Sequence, residues 1–243
     1  MEKKYKLTEE TINLGVKTLH RIEALRDFND VKKGDKGGFI ENEKNLSQSD
    51  DCWVYCDAKV YGNAKVYDNA NVLNNARVSD NAKVCGNAKV CGNALVCGNA
   101  SIYDTASIYG DAKVYGNAKV CHNAAVFGDA VVYGYVMVFG DAMVYDNAKV
   151  YDNAQVSGNA EVFGNAEIRG DAEIASNSDY IVFKNWWSSG RCCTWTKSNN
   201  MWKVGFFYGT GEELIEEAYE DSEKTGEEYE RVVKYVESII NDN

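Results

Sequence analysis

Every sixth residue from Val54 to Ile174 is Val or Ile, twenty-one times in succession. A short fixed period sustained over about half of a chain requires an architecture in which each unit stacks on the next, because six residues cannot bury their own apolar side. The residue four positions after each Val or Ile is Ala at nineteen of the twenty places from Ala58 to Ala172, and Val136 is the departure. Ala-x-Val-x alternates with the two-residue period of a strand, so Ala and Val face one side while the Lys-type and Tyr-type positions face the other. The other two positions are mostly Gly or Asp followed mostly by Asn or Asp, residues that accept the positive φ of a tight corner. Each hexad is thus a short strand and a corner around a narrow interior of β-branched side chains. Proline is absent, as suits a ladder in which nearly every backbone N–H donates.

Val60-Tyr61-Gly62-Asn63-Ala64-Lys65 and its copies closely resemble the hexapeptide-repeat family of left-handed parallel β-helices. The resemblance implies three hexads per coil, so residues 52–177 are expected to form a triangular prism of about 7 coils, roughly 34 Å tall at the usual strand spacing. Handedness comes from the resemblance alone, since parallel crossovers are otherwise right-handed. Residues 1–51 lack the hexad and are expected to form an N-terminal β cap over the first coil, with strands at Tyr5-Lys6-Leu7 and Leu19–Leu25 and a glycine turn before Phe39-Ile40. A narrower resemblance rests on Leu19-x-Arg21-Ile22-x-Ala24-Leu25-x-Asp27-Phe28, Gly34-x-x-Gly37-Gly38-Phe39-Ile40, Asn45-Leu46-Ser47 and Cys52-Trp53-Val54-Tyr55. These residues are similar to the leading segment of bacterial and prophage hexapeptide proteins often labelled transferases. That label is fold analogy, which carries little chemistry.

After Ile174 the composition changes. Tyr180–Trp187, Cys192–Thr196 and Met201–Tyr208 read as three strands, and Thr210-x-x-Glu213 and Thr225-x-x-Glu228 as capping boxes opening two helices. Residues 178–243 are therefore expected to be a small βββαα module. Four of the five tryptophans lie there: Trp186, Trp187, Trp195 and Trp202. They serve first as a core that seals the last coil. Trp186 and Trp187, adjacent on an expected strand, would face opposite sides, so at least one is a candidate aromatic contact for a partner.

No stretch is long and apolar enough to cross a membrane and Met1–Tyr5 has no leader pattern, so a soluble protein is expected. Of the eight cysteines, Cys85 and Cys121 would share a face two coils apart, about 9.6 Å, too far for a disulfide. Reduced cysteines point to the cytoplasm, that of the host cell if the gene is phage-borne. Of the net charge of −11, residues 210–243 supply −9, with twelve acidic against three basic residues. The rest of the chain is near neutral, and no long nucleic acid is expected as a partner.

The family's acyltransferases use one His as general base beside a loop that leaves the prism. Here His122 sits at a corner with no inserted residue nearby, which makes it a weak catalytic candidate. The family's carbonic anhydrases hold zinc with three His across a trimer, and two His, His20 and His122, do not supply that set. No metal and no cofactor are expected.

The outward columns say more. Positions 18 apart stack Lys59 over Arg77 and Lys65 over Lys83, with Lys89 on another face, while Glu161, Glu167 and Glu173 occupy the equivalent places at the far end. With Tyr55, Tyr61 and Tyr67 beside them, these cations are candidates to hold a phosphate and stack a base. Ala125, Val131, Met137 and Met143 replace Lys in the middle coils, next to Phe127, Tyr133, Phe139 and Tyr145, with Tyr135 at a corner. The family usually forms trimers through prism faces, and Phe127, Val131, Tyr133, Tyr135, Met137, Phe139, Met143 and Tyr145 are the expected homotrimer contact. Aromatic ladders that merely stabilise the sheet are the plain alternative.

The function expected on these grounds is a non-catalytic oligomeric scaffold, phage- or prophage-encoded, that binds a host protein or sequesters a small anionic ligand such as a nucleotide. A CoA-dependent acyltransferase and a purely structural spacer or virion component are the alternatives.

Overall fold

The computed structural model describes residues 2–187 and 189–241. Two-residue strands recur every six residues from Trp53–Val54 to Glu173–Ile174, and each pairs in parallel with the strand 18 residues on, as in Lys59↔Arg77, Lys65↔Lys83 and Lys89↔Ser107. Three sheets result, so the protein is mainly β and its centre is a three-faced parallel solenoid. The first face carries the rungs of Lys59, Arg77, Leu95, Lys113, Val131, Lys149 and Glu167, the second those of Trp53, Asn71, Lys89, Ser107, Ala125, Met143 and Glu161, and the third those of Lys65, Lys83, Ser101, Lys119, Met137, Gln155 and Glu173.

The periodic Val, Ile and Ala residues fill the interior at 0–1% exposure, each Val or Ile contributing roughly 2 kcal/mol of apolar burial. The corner residue two after each of them has positive φ in every coil, from Cys56 at 52° to Gly170 at 68°, with His122 at 57°. Side chains tie successive corners together. Asn63, Asn81, Asn99 and Asn117 form a ladder of amide hydrogen bonds at 3.0–3.1 Å, and the carboxylates of Asp68, Asp80 and Asp146 accept the N–H of Gly86, Gly98 and Gly164 one coil on.

The stack has about eight turns, because the leading segment lays down coil before the hexads begin. Phe39 and Ile40 pair in parallel with Lys59 and Val60, and Leu46 bridges to Val66. Eight residues, not six, separate Leu46 from Val54, so the sequence period slips at the join. Tyr5–Leu14 and Lys17–Ala24 form an antiparallel hairpin, and Lys36–Ile40 adds to it before joining the first face. Trp53 is buried against the ring edges of Tyr5 and Phe28. Gly38 is obligatory here, since a Cβ would stand 2.5 Å from the Ala58 carbonyl oxygen. The fully buried Lys4 donates from its ammonium to the carbonyls of Ser49, Asp50 and Cys52 at 2.9–3.1 Å.

The far end is closed by an antiparallel sheet of four strands, Tyr180–Lys184, Cys192–Thr196, Met201–Val204 and Phe207–Gly209, and by helices α1 (Gly211–Asp221) and α2 (Glu223–Asn241). Three expectations need correction. The third expected strand is a hairpin, because Gly205 takes a φ of 54° and puts Phe206 at an exposed tip. The first ends at Lys184, so Trp186 and Trp187 lie in a turn and do not flank a strand. Thr210 caps α1 as expected. In contrast α2 starts at Glu223, with the Ser222 hydroxyl accepting the N–H of Thr225 at 3.2 Å, which leaves Thr225 inside the first turn.

Candidate functional site

Asn45 decides where the basic residues meet. Its side-chain NH₂ donates to the carbonyls of Gly62 and Ala64 at 3.0 and 2.9 Å, while its carbonyl accepts the N–H of Asn42 and the Asn42 side chain accepts that of Lys44. A short helical turn, Glu43–Asn45, is thereby held over the corner between the first and third faces. It places Lys44 beside Lys65 and Lys83, which are register neighbours on the third face. The three lysines and Asn42, Glu43, Asn63 and Asn81 line a shallow recess of about 740 Å³. Lys44 and Lys65 are shared with an adjoining hollow of about 350 Å³ that includes Tyr67. Lys65 and Lys83 are exposed and make no ion pair among the described residues, so two cations one strand spacing apart are left to the solvent.

The other expected ligand residues are spread out. Lys59 and Arg77 are register neighbours on the first face. The Lys59 ammonium donates to the Asp57 carbonyl at 2.7 Å, and burial together with the Arg77 charge lowers its pKa. The Tyr61 ring lies under the Lys17 ammonium at 6.0 Å. Tyr55 and Lys89 are on the second face, and the Tyr55 hydroxyl is committed to Asp30 at 2.7 Å. Lys65, Lys83 and Tyr67 are thus the expected residues that converge. Lys44 was not visible as their partner, because nothing in Asn42-Glu43-Lys44-Asn45 departs from an ordinary polar turn.

The aromatic belt encircles the solenoid. Val131 and Tyr133 lie on the first face, Phe127, Met143 and Tyr145 on the second, Met137 and Phe139 on the third, and Tyr135 projects from a corner at 67% exposure. On the second face Tyr109, Phe127, Tyr145 and Phe163 stack with centroid spacings of 4.7, 4.9 and 5.4 Å, and on the first Tyr115, Tyr133 and Tyr151 stack at 5.1 Å.

His122 has closer neighbours than its corner position suggested. Its Nδ1 is 3.3 Å from the buried Cys121 Sγ, and its backbone N–H donates to Asp104 Oδ2 at 3.1 Å. The Phe139 ring lies at 6.5 Å. Among the described residues no segment leaves the coils at this corner. Trp186 is 77% exposed, while Trp187 is half-buried with its ring against Tyr229 at 5.2 Å. Trp195 and Trp202 lie in the module's core with Leu214 and Val233.

No family model matches the chain. A stretch of 37 residues is 49% identical to an uncharacterized acetyltransferase, YdcK, of Escherichia coli strain K12. The stretch is 15% of this chain and 11% of that protein's length. Among the described residues no helix is long and apolar enough to cross a membrane.

Proposed function

We propose that the protein is a left-handed β-helical scaffold that assembles through its aromatic belt and captures a small phosphate-bearing anion, without chemistry, at the corner formed by Lys44, Lys65 and Lys83. The convergence of these three lysines on one recess carries this reading. Cations held about 4.8 Å apart on neighbouring strands repel until an anion or salt lies between them. The surrounding Asn42, Asn63 and Asn81 offer amide donors, and Tyr67 stands where a base attached to the phosphate would reach it.

Thermal shift with ATP, AMP and inorganic phosphate tests the reading. A ligand that binds only the folded chain raises the melting temperature, and Lys65→Glu and Lys83→Glu should each remove the rise. A rise that survives both substitutions, or no rise with any of the three, refutes it. A second reading, acyl transfer from CoA, is supported by the name of the Escherichia coli relative and by the His122–Cys121 contact. Turnover of acetyl-CoA that is lost in His122→Ala would establish that reading instead.

A further inference from the structure

We infer that Asp104, Cys121 and His122 form a binding site for a divalent ion of the zinc class. A carboxylate oxygen, Cys121 Sγ and a His122 ring nitrogen lie within 4.8 Å of one another. The combination of thiolate, imidazole and carboxylate selects zinc, cobalt or a similar borderline ion over calcium or magnesium, which require oxygen shells. The separation of the two soft donors also fits. With metal–sulfur and metal–nitrogen distances of about 2.3 and 2.0–2.1 Å, two ligands of one tetrahedral ion are about 3.5 Å apart. Cys121 Sγ and His122 Nδ1 are 3.3 Å apart, so both meet one ion with little movement.

The corner geometry supplies the third donor. Asp104 Oδ2 accepts the N–H of His122, the same contact that Asp68, Asp80 and Asp146 make to the residue one coil on. At those corners the residue above is Gly, so no imidazole is present, although Cys85 and Cys97 precede Gly86 and Gly98 as Cys121 precedes His122. Only His122 brings an imidazole to such a carboxylate, and Cys121 precedes it. The next residue in the column is Gly140, which carries no side chain on that corner and leaves a fourth position open to solvent. Binding converts the Cys121 thiol to a thiolate bonded to the ion and releases its proton to the solvent.

The experiment is anaerobic titration of the full chain with Co²⁺, followed by displacement with Zn²⁺. The expected result is a thiolate-to-cobalt charge-transfer band with four-coordinate visible bands, saturating at one ion per chain. The band should vanish in Cys121→Ser and persist in Cys85→Ser. His122→Gly restores the residue most common at this corner and so should fold. It should weaken binding by more than the roughly 10–100-fold that loss of an outer-shell partner costs, and Asp104→Asn should weaken it by at least roughly 10-fold. A band that survives Cys121→Ser, an affinity unchanged in His122→Gly with circular dichroism intact, or no band at all overturns the site. None of these readouts depends on anion capture at the lysine recess.

Discussion

The hydroxyl oxygen of Thr194 accepts the backbone N–H of Glu167 at 3.0 Å, replacing the carbonyl that a further coil would have offered. The other two faces end in the same way: Asn177 Oδ1 accepts the Glu161 N–H and Ser198 Oγ accepts that of Glu173, both at 2.7 Å. On each face one side-chain acceptor thus takes the first N–H of the last rung, one of the groups through which stacked strands otherwise recruit another chain. Thr194→Val keeps the shape and leaves the N–H unpaired in a partly buried setting, at a cost of about 1–3 kcal/mol. Denaturant unfolding should show that loss, and hydrogen exchange should show the Glu167 amide losing protection before those of the central rungs. An unchanged exchange rate at Glu167 counts against the cap.

Two glycines with nearly the same φ separate conformational strain from crowding. Gly98 has φ 66° and a Cβ there would stand 2.9 Å from the Gly116 nitrogen, whereas Gly164 has φ 65° and nothing within 4 Å. Gly164→Ala should therefore cost only the left-handed backbone penalty, about 1–2 kcal/mol. Gly98→Ala adds displacement of the neighbouring coil's backbone and should cost at least about 1 kcal/mol more. Equal losses by urea titration would show that coil stacking does not tighten the corners.

The interior and the corners were legible because each follows from one local rule applied many times: Val60, Ala64 and Gly62 have no alternative role in a six-residue turn. The sequence revealed less where a single residue acts across distant parts of the chain. Asn45 bonding to the Gly62 and Ala64 carbonyls, and Lys4 closing three carbonyls near Cys52, have no periodicity to announce them. The Lys65–Lys83 pairing was read from the 18-residue period, but Lys44 enters only through the cap. The same holds at His122, where the Cys121 contact is local but the Asp104 carboxylate arrives from one coil away. At the C-terminal end the run Met201–Tyr208 reads as one strand, but Gly205 splits it into a hairpin.

The stacked rings of the second face allow the assembly to be tested. Phe127→Lys with Tyr145→Lys breaks a ladder in which each aromatic pair contributes about 0.5–1.5 kcal/mol beyond its buried area. If this face is a subunit contact, sedimentation equilibrium should show the wild-type assembly and a monomeric double variant. A variant with lower melting temperature but unchanged mass would assign the rings to intrachain stacking alone.

Stability should fail on the alkaline side. Burial pushes the Cys193 thiol up to about 12 and raises Cys52, Cys91 and Cys97 above their ordinary 9.0. Hydrogen bonding with Cys85 and with Cys121, followed by burial, moves the Tyr67 and Tyr103 hydroxyls from 10.0 up to about 12, and burial raises Tyr5, Tyr55 and Tyr151 strongly. The unfolded chain releases these protons near pH 9 and 10 while the folded chain retains them, so stability falls as pH climbs from about 9 towards 12. Lys4 and Lys59 act in the opposite sense, because burial lowers their pKa and the folded chain sheds those protons earlier. The thiols and phenols outnumber them and set the net sign. The melting temperature should be level from about pH 7 to 8.5 and drop steeply above about 9.5, with tyrosinate absorbance appearing at the same midpoint. Tyr5→Phe, which loses the hydroxyl that donates to the Leu46 carbonyl at 2.7 Å, should be less stable at pH 7 yet show a shallower alkaline decline. Tyrosinate absorbance that develops while the fold persists, as a simple solvent titration near pH 10, would contradict this account.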